Sequence, residues 1–443
     1  MEQTAEKPRS RRNFLKYAGA AVIAGAAASA GYYGLAQYTP SPQPSPTVTT
    51  PTSTLGGKKL KVKIGGSKPF TGPDAIVGQS EGNGNKLWAK HVNEAGGIKA
   101  GDGNTYEVEL VLYNDEEKPE NVGRLYEKLI NDDKVDFLFG PAYGPLGMAT
   151  VPIVERYKKF EVYGTSTFNP KDFRDWKYVV HVITNGSNYL ASILDMIWDR
   201  IVPIDPEAKN IAITHGDDAF RGTAGSYGYQ YAKQKGFNVI FYESYSSSAT
   251  DLSPLLTKVK AANPTIYINV AVFTDTMLIV KQMKDLNFMP KLCMAGGAAI
   301  LNKFHELLGK QSEGFISYSQ WEKDVIHQPE FGPTNDQFIK AYENEFRDTP
   351  DYQSATGYQQ GLVLQRCMEL CKDPLNSEEI RKVAGEMEMT TFFGKHKVDP
   401  VTGWQTGHTM CVIQWQRDEK VIIWPIGDRT KPVLYPVKKW SER

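Results

Sequence analysis

Residues 60–98, LKVKIGGSKPFTGPDAIVGQSEGNGNKLWAKHVNEAGGI, constrain this chain more than any other stretch. Leu60, Val62 and Ile64 alternate with lysines at the period of a half-buried strand, a loop rich in Gly, Pro and Thr follows, and Leu87, Trp88 and Val92 recur at helical spacing. Gly96 and Gly97 stand where a helix begun near Ser80 ends, because glycine takes a left-handed C-terminal cap without a Cβ clash. Strand, open loop and helix make the first half of a βα unit, after which the chain turns back to a second strand.

The alternation continues along the chain. Strands are expected over 106–113, 135–139 and 160–163, with helices over 120–131 and 146–157 between them. A second set follows as helix 189–200, strand 210–214, helix 224–235, strand 238–242, helix 253–261, strand 265–270 and helix 276–287. The fold class is therefore α/β, and the chain beyond Lys58 is too long for one core and suits two domains.

Ahead of this body, Ser10-Arg11-Arg12-Asn13-Phe14-Leu15-Lys16 spells a twin-arginine export signal and leads into an Ala- and Gly-rich apolar run. Ala28-Ser29-Ala30 offers a cleavage site, yet the run is also long enough to span a bilayer, so residues 1–36 are either removed or kept as an anchor. Residues 37–57, mostly Pro, Ser and Thr, form a solvated linker. The 51 basic and 51 acidic residues balance, and no basic run occurs outside the signal, which argues against nucleic acid as a partner. Among the four cysteines, Cys367 and Cys371 share a helix face; they are either two small buried residues or disulfide partners of other cysteines.

Catalytic signatures are missing: there is no G-x-S-x-G, no H-E-x-x-H, no G-K-[ST], and KIGGSKP over 63–69 is no dinucleotide fingerprint. No enzyme activity, cofactor or metal is expected. The seven histidines stand singly, and His215, Asp217 and Asp218 are closer to a hydrogen-bonded turn than to a metal site.

Ligands of open α/β sheets sit outside the carboxyl ends of the strands. In the first half those loops are 70–73, 140–147 (GPAYGPLG, with Tyr143 and Gly144) and 164–169 (GTSTFN, with Thr165, Ser166 and Thr167). Glycines 140, 144 and 147 let backbone N–H groups approach a ligand, the helix from about Leu146 turns its positive end there, and the hydroxyls add donors suited to a carboxylate. Turn geometry and capping account for the same residues equally well. In the second half, loops 215–220, 271–275 and 295–298 bring Phe220, Phe273 and Gly296 to the opposite wall.

Phe70-Thr71-Gly72-Pro73, Val77-Gly78-Gln79 and Asn93-Glu94-Ala95-Gly96-Gly97-Ile98, in that order after a strand, resemble the opening of type I periplasmic binding proteins of the leucine/isoleucine/valine branch. Further pieces of that pattern stand at Phe139-Gly140-Pro141, Thr165-Ser166-Thr167, 245–252, Ala262-Asn263-Pro264, 314–321 and 352–361, so the resemblance covers nearly the whole body.

The resemblance implies two lobes, each a mostly parallel sheet flanked by helices, with a ligand cleft between them and three crossings near His181, Tyr318 and Thr391. Lobe one is then 58–181 plus 320–390, and lobe two 182–319 plus 391–443. It implies an extracytoplasmic, monomeric receptor that closes on a small molecule and serves an ABC transporter permease; a sensory module or a secreted hydrolase are the alternatives. In the family, positions matching Thr165, Thr167 and a serine at Gly144 hold an amino acid's carboxylate and ammonium, and aromatics stand near Phe220 and Phe273. Gly296 falls where amino-acid binders place the glutamate that pairs with the ammonium. The implied ligand is amino-acid-like or a small carboxylate or amide, with ordinary branched-chain amino acids bound weakly.

Overall fold

A computed structural model describes residues 57–142, 144–165, 176–425, 427 and 429–443. The export signal, nearly all of the linker, Tyr143, Ser166 and Thr167 lie outside the described residues. No helix among the described residues is long and apolar enough to cross a membrane.

Two sheets organise the chain. The first is laid down by β1 (Lys59–Lys68), α1 (Ala75–Glu94), β2 (Ile98–Lys99), β3 (Thr105–Asn114), α2 (Pro119–Asn131), β4 (Phe137–Phe139), α3 (Gly144–Gly147), α4 (Val151–Tyr157), β5 (Glu161–Tyr163) and β6 (Val179–His181). Its order is β2-β3-β1-β4-β5-β6, parallel except for β2. β1 runs through the middle because both its faces are covered: Val62 and Ile64 are fully buried, and so are Ser67 and Lys68 at its carboxyl end.

The second sheet follows from α5 (Tyr189–Met196), β7 (Asn210–Gly216), α6 (Ala219–Lys235), β8 (Asn238–Tyr245), α7 (Ser253–Ala262), β9 (Ile266–Val270), α8 (Phe273–Asp285), β10 (Leu292–Ala295), α9 (Asn302–Leu308) and β11 (Ile316–Ser319). The chain then returns to the first sheet as α10 (Asn335–Phe346), α11 (Tyr352–Leu370) and α12 (Ser377–Glu386), with α11 lying on α1 and α12 against β6. A hairpin, β12 (Glu388–Thr391) and β13 (Gly394–Lys397), leads back to β14 (Cys411–Gln416) and β15 (Glu419–Trp424), which extend the second sheet antiparallel. Its order is β15-β14-β11-β10-β9-β7-β8. The result is the expected α/β architecture of two mostly parallel sheets flanked by helices.

Several helices start elsewhere than periodicity predicts. α1 begins at Ala75 rather than near Ser80, and α6 at Ala219 rather than 224, because the Asp218 side chain accepts from Phe220 N and Arg221 N and caps the helix ahead of any apolar period. The helix expected over 146–157 is two short ones, since Pro152 has no N–H to continue a helical ladder through 148–151.

α1 and α11 pack backbone to backbone. A Cβ on Gly84 would lie 2.0 Å from Ser354 O, and one on Gly357 would lie 2.0 Å from Glu81 O. Glycine is what lets the two helices close, and Asn85 then donates to Gly357 O at 2.8 Å and Ser80 to Asp351 Oδ1 at 2.5 Å. This contact fixes the amino ends of both helices against each other.

The segments passing between the lobes are tied by isolated backbone bridges, Thr184 with Gln405 and His181 N to Gly403 O, and by side chains. Gln320 Oε1 accepts from Thr184 N, Gln405 donates to Val182 O, and His408 Nε2 meets Gln320 O at 2.8 Å. Histidines scattered in sequence gather here: a Cβ on Gly394 would lie 3.0 Å from His408 Nδ1 and 3.2 Å from His327 Nε2, while His181 stacks on Trp404 with centroids 4.0 Å apart. Burial holds the His181 and His408 rings down to about 4, so they are neutral. All four cysteines are buried and free.

Candidate functional site

The carboxyl ends of the central strands of both sheets face one cavity of about 550 Å³, a volume counted with its open mouth. The first lobe contributes Gly164 and Thr165 after β5, Ala142 after β4, Val77 from the first turn of α1, and Tyr352 and Gln353 from the first turn of α11, and Ile183 stands on the segment that leaves β6 for the second sheet. The second contributes Ala271, Val272 and Phe273 after β9, Gly297 and Ile300 after β10, Phe220 in the first turn of α6, Tyr189 at the start of α5, and Tyr318 from β11.

Five aromatic rings therefore meet in one space. Tyr189 stands edge-on to Phe220 at 5.2 Å and to Tyr318 at 4.5 Å between centroids. Four of the rings, Tyr189, Phe220, Phe273 and Tyr352, ride on the first turns of helices, so the positive ends of those helices come with them. Burial raises the Tyr318 and Tyr352 phenols well above their ordinary range and keeps them neutral donors.

Among the described residues, no side chain lining the cavity carries a charge. Four acids of the neighbouring loops are held elsewhere. Asp217 accepts from Ser247 N and Oγ, Asp218 caps α6 and pairs with Arg221, and Asp275 takes Arg221, the Tyr245 hydroxyl at 2.5 Å and Val272 N at 2.8 Å. Glu322 is paired with Lys420 at 3.0 Å. Behind the floor, a Cβ on Gly164 would lie 2.6 Å from Glu81 Oε1, and that carboxylate is already matched by Lys68 at 2.5 Å, both side chains fully buried. His215 bonds Gly216 O and the Tyr242 hydroxyl, and no group of three metal-binding side chains occurs among the described residues.

Of the residues picked from sequence, Thr165, Phe220 and Phe273 line the cavity together. Thr165 is 5% exposed, its carbonyl meets His181 Nδ1 at 3.2 Å, and among the described residues no group pairs with its hydroxyl. Phe220 and Phe273 stand in helix first turns, not in loops. Gly144 opens the four-residue α3, too short to turn a helix dipole on a ligand. Glycines 140 and 147 make room for the Tyr163 ring instead of a ligand: a Cβ there would lie 2.4 Å and 1.1 Å from its atoms. Gly296 is buried behind the wall, where its carbonyl accepts from Ser317 and a Cβ would meet Ala271 N and O at 2.9 Å; its neighbour Gly297 faces the cavity.

Sequence reasoning passed over Tyr189, Tyr318 and Tyr352. Tyr352 follows Asp351, which caps α11 through Ser354 N, so the capping motif D-x-x-S was the available signal for a ring at a helix start.

A family model described as periplasmic binding protein matches residues 61–420. The chain belongs to the periplasmic binding protein family. The Leu/Ile/Val-binding protein homolog 7 of Brucella suis biovar 1 (strain 1330) is 22% identical over 393 residues, covering 85% of this chain and 94% of that protein. LivJ of Streptococcus pneumoniae, a branched-chain amino acid transporter substrate-binding protein solved with isoleucine, superposes with a TM-score of 0.69 at 18% identity, over 82% of this chain and 100% of its own. An ABC transporter solute-binding protein of Rhodopseudomonas palustris BisB5, solved with 3,4-dihydroxybenzoic acid, also gives 0.69 at 18%, over 86% of this chain and 99% of its own. This periplasmic binding protein has the type I fold of those solved structures and is extracytoplasmic as its family is.

Proposed function

We propose that this protein captures a small monocarboxylate, or its amide, with an apolar or aromatic body, by closing its lobes, and hands it to the permease of an ABC importer. The observation that carries the reading is the cavity lining: five rings, helix first turns and hydroxyls, and, among the described residues, no charged side chain. A carboxylate is served by N–H groups and hydroxyls. An ammonium finds no counter-charge there, and enclosing one unpaired costs several kcal/mol. The relative solved with 3,4-dihydroxybenzoic acid supports an aromatic acid as well as the isoleucine-bound one supports an amino acid.

Lobe one, in this reading, is 58–181 with 320–390 and lobe two 182–319 with 391–443, hinged at the side-chain ties of Gln320, Gln405 and His408. The protein acts as a monomer and binds without turnover. Residues 1–36 take it out of the cytoplasm by the twin-arginine route, and residues 37–57 set it off from the membrane. Thr165 and the N–H groups about Gly144 hold the carboxylate; Tyr143, Ser166 and Thr167 complete that end, and Phe220 and Phe273 grip the body.

Titration calorimetry with leucine, its des-amino analogue 4-methylpentanoate, and benzoate tests this. The acids should bind roughly 100-fold more tightly than leucine, the factor that about 3 kcal/mol represents. Leucine bound as tightly as 4-methylpentanoate would overturn the ligand class. Scattering with the better acid bound should show a smaller radius of gyration than without it, and an unchanged radius would remove lobe closure.

A further inference from the structure

Asp74 occupies the N-cap position of α1, where an aspartate normally turns its carboxylate back onto its own helix. It does not do so here: no side-chain cap hydrogen bond is made to α1. Its Oδ1 crosses from the first lobe to the second and accepts from Thr274 N at 3.1 Å and from Thr274 Oγ1 at 2.6 Å. Thr274 is the second residue of α8, one of the positions whose amide has no partner within its own helix. The N-cap residue of α8 is Val272, which has no side-chain oxygen to offer. Asp275 of α8 reaches back only to the Val272 amide, so the Thr274 amide, which the N-cap side chain cannot serve, is taken by the other lobe.

The surroundings show a built contact. Asp74 is 4% exposed, and its own amide donates to Glu117 Oε1 at 2.5 Å. The turn carrying Glu117 has positive φ at Glu116 (56°) and Glu117 (61°), a conformation that non-glycine residues keep only when their neighbours enforce it. Gly72, at φ 118°, would drive a Cβ to 2.9 Å from the Glu117 carboxyl carbon, so the loop before α1 closes directly over that side chain. The position matters for the ligand. Val77, three residues beyond Asp74, and Phe273, next to Thr274, both line the cavity, and Thr274 is itself exposed.

From this geometry we propose that Asp74 is a latch that holds the lobes closed over the cavity by capping α8 in trans. The inference rests on lobe closure as read above and adds the contact that sets how long the closed state lasts. Because the carboxylate meets the positive end of α8 only when the lobes are together, the bond stabilises closed over open whatever the ligand. Asp74 touches no ligand in this account; it acts through the position of α8 and Phe273.

Spin labels on Glu120→Cys of α2 and Lys284→Cys of α8, both exposed, report the distance between lobes in the full chain without ligand. Asp74→Ala keeps the amide that bonds Glu117 and removes the carboxylate, and should lower the closed-to-open ratio about tenfold. Asp74→Asn, which keeps Oδ1, should recover part of that loss, and Thr274→Val should lose less than Asp74→Ala. Adding Thr274→Val to Asp74→Ala should cost nothing more, since the bond is already gone. Unchanged thermal melting of the single variants, with the distances shifted, separates a latch from a merely structural residue. Two populations in the wild type left in the same ratio by Asp74→Ala would overturn the latch and leave closure standing. One short distance in both proteins would overturn the two together.

Discussion

The Glu161→Gln variant should match the wild type in stability at pH 4 and exceed it by about 5 kcal/mol above pH 8. Glu161 opens β5, three residues ahead of the cavity floor, and is fully buried. Its Oε2 accepts from Thr150 Oγ1 at 3.0 Å, and no group among the described residues pairs with Oε1. Burial pushes the carboxyl up from 4.5 to about 8, against the hydrogen bond from Thr150. Below pH 4.5 the group is protonated folded and unfolded alike, and its contribution to stability is whole. As pH rises from 4.5 towards 8 the unfolded chain ionises while the folded protein keeps the proton, so stability falls by about 1.4 kcal/mol per pH unit until the folded group ionises too. Glutamine mimics the protonated form at every pH. Urea unfolding of both proteins from pH 4 to 9 reads the difference directly, with every other titrating group cancelling. Parallel profiles would show that Glu161 is charged in the folded state.

Gly84→Ala should destabilise the protein by about 3 kcal/mol, although alanine is the better helix former by about 1 kcal/mol. Steric overlap decides the sign, because the added methyl would stand 2.0 Å from Ser354 O and 2.8 Å from Tyr358 N. The two helices must part, and the Asn85 and Ser80 bonds to α11 lengthen with them. Gly222 in α6 is the control: nothing lies within 4 Å of a Cβ there, and Gly222→Ala should stabilise by a few tenths to 1 kcal/mol. Chemical denaturation of the pair gives opposite signs if this holds. Equal signs would mean that the close approach of α1 and α11 relaxes at little cost.

Element type was legible because period and turn residues agree locally. The strand expected over 106–113 is Thr105–Asn114, and the helix expected over 253–261 is Ser253–Ala262. Helix starts were not, since AIVGQ and AFRGT begin their helices with small or mixed residues and the apolar face appears a turn later. Of the site, Phe220 and Phe273 could be found because each follows a recognisable strand. Tyr189, Tyr318 and Tyr352 could not be grouped, because only the crossings of the chain between lobes bring these three together. Gly140 and Gly147 mislead for another reason: a glycine that admits a neighbouring ring has the same letter as one that admits a ligand, and only the packing of Tyr163 tells them apart.

The placement of rings on helix first turns bears on how such a receptor can change its taste. Positions 189, 220, 273 and 352 come from four separate helices, and the first-turn amides there take no part in the helical ladder. The scaffold is held instead by strand pairing and by the glycine-mediated contact of α1 with α11. Selection can therefore exchange one ring at a time and redraw the cavity wall by single steps, while the lobes that move around it stay the same.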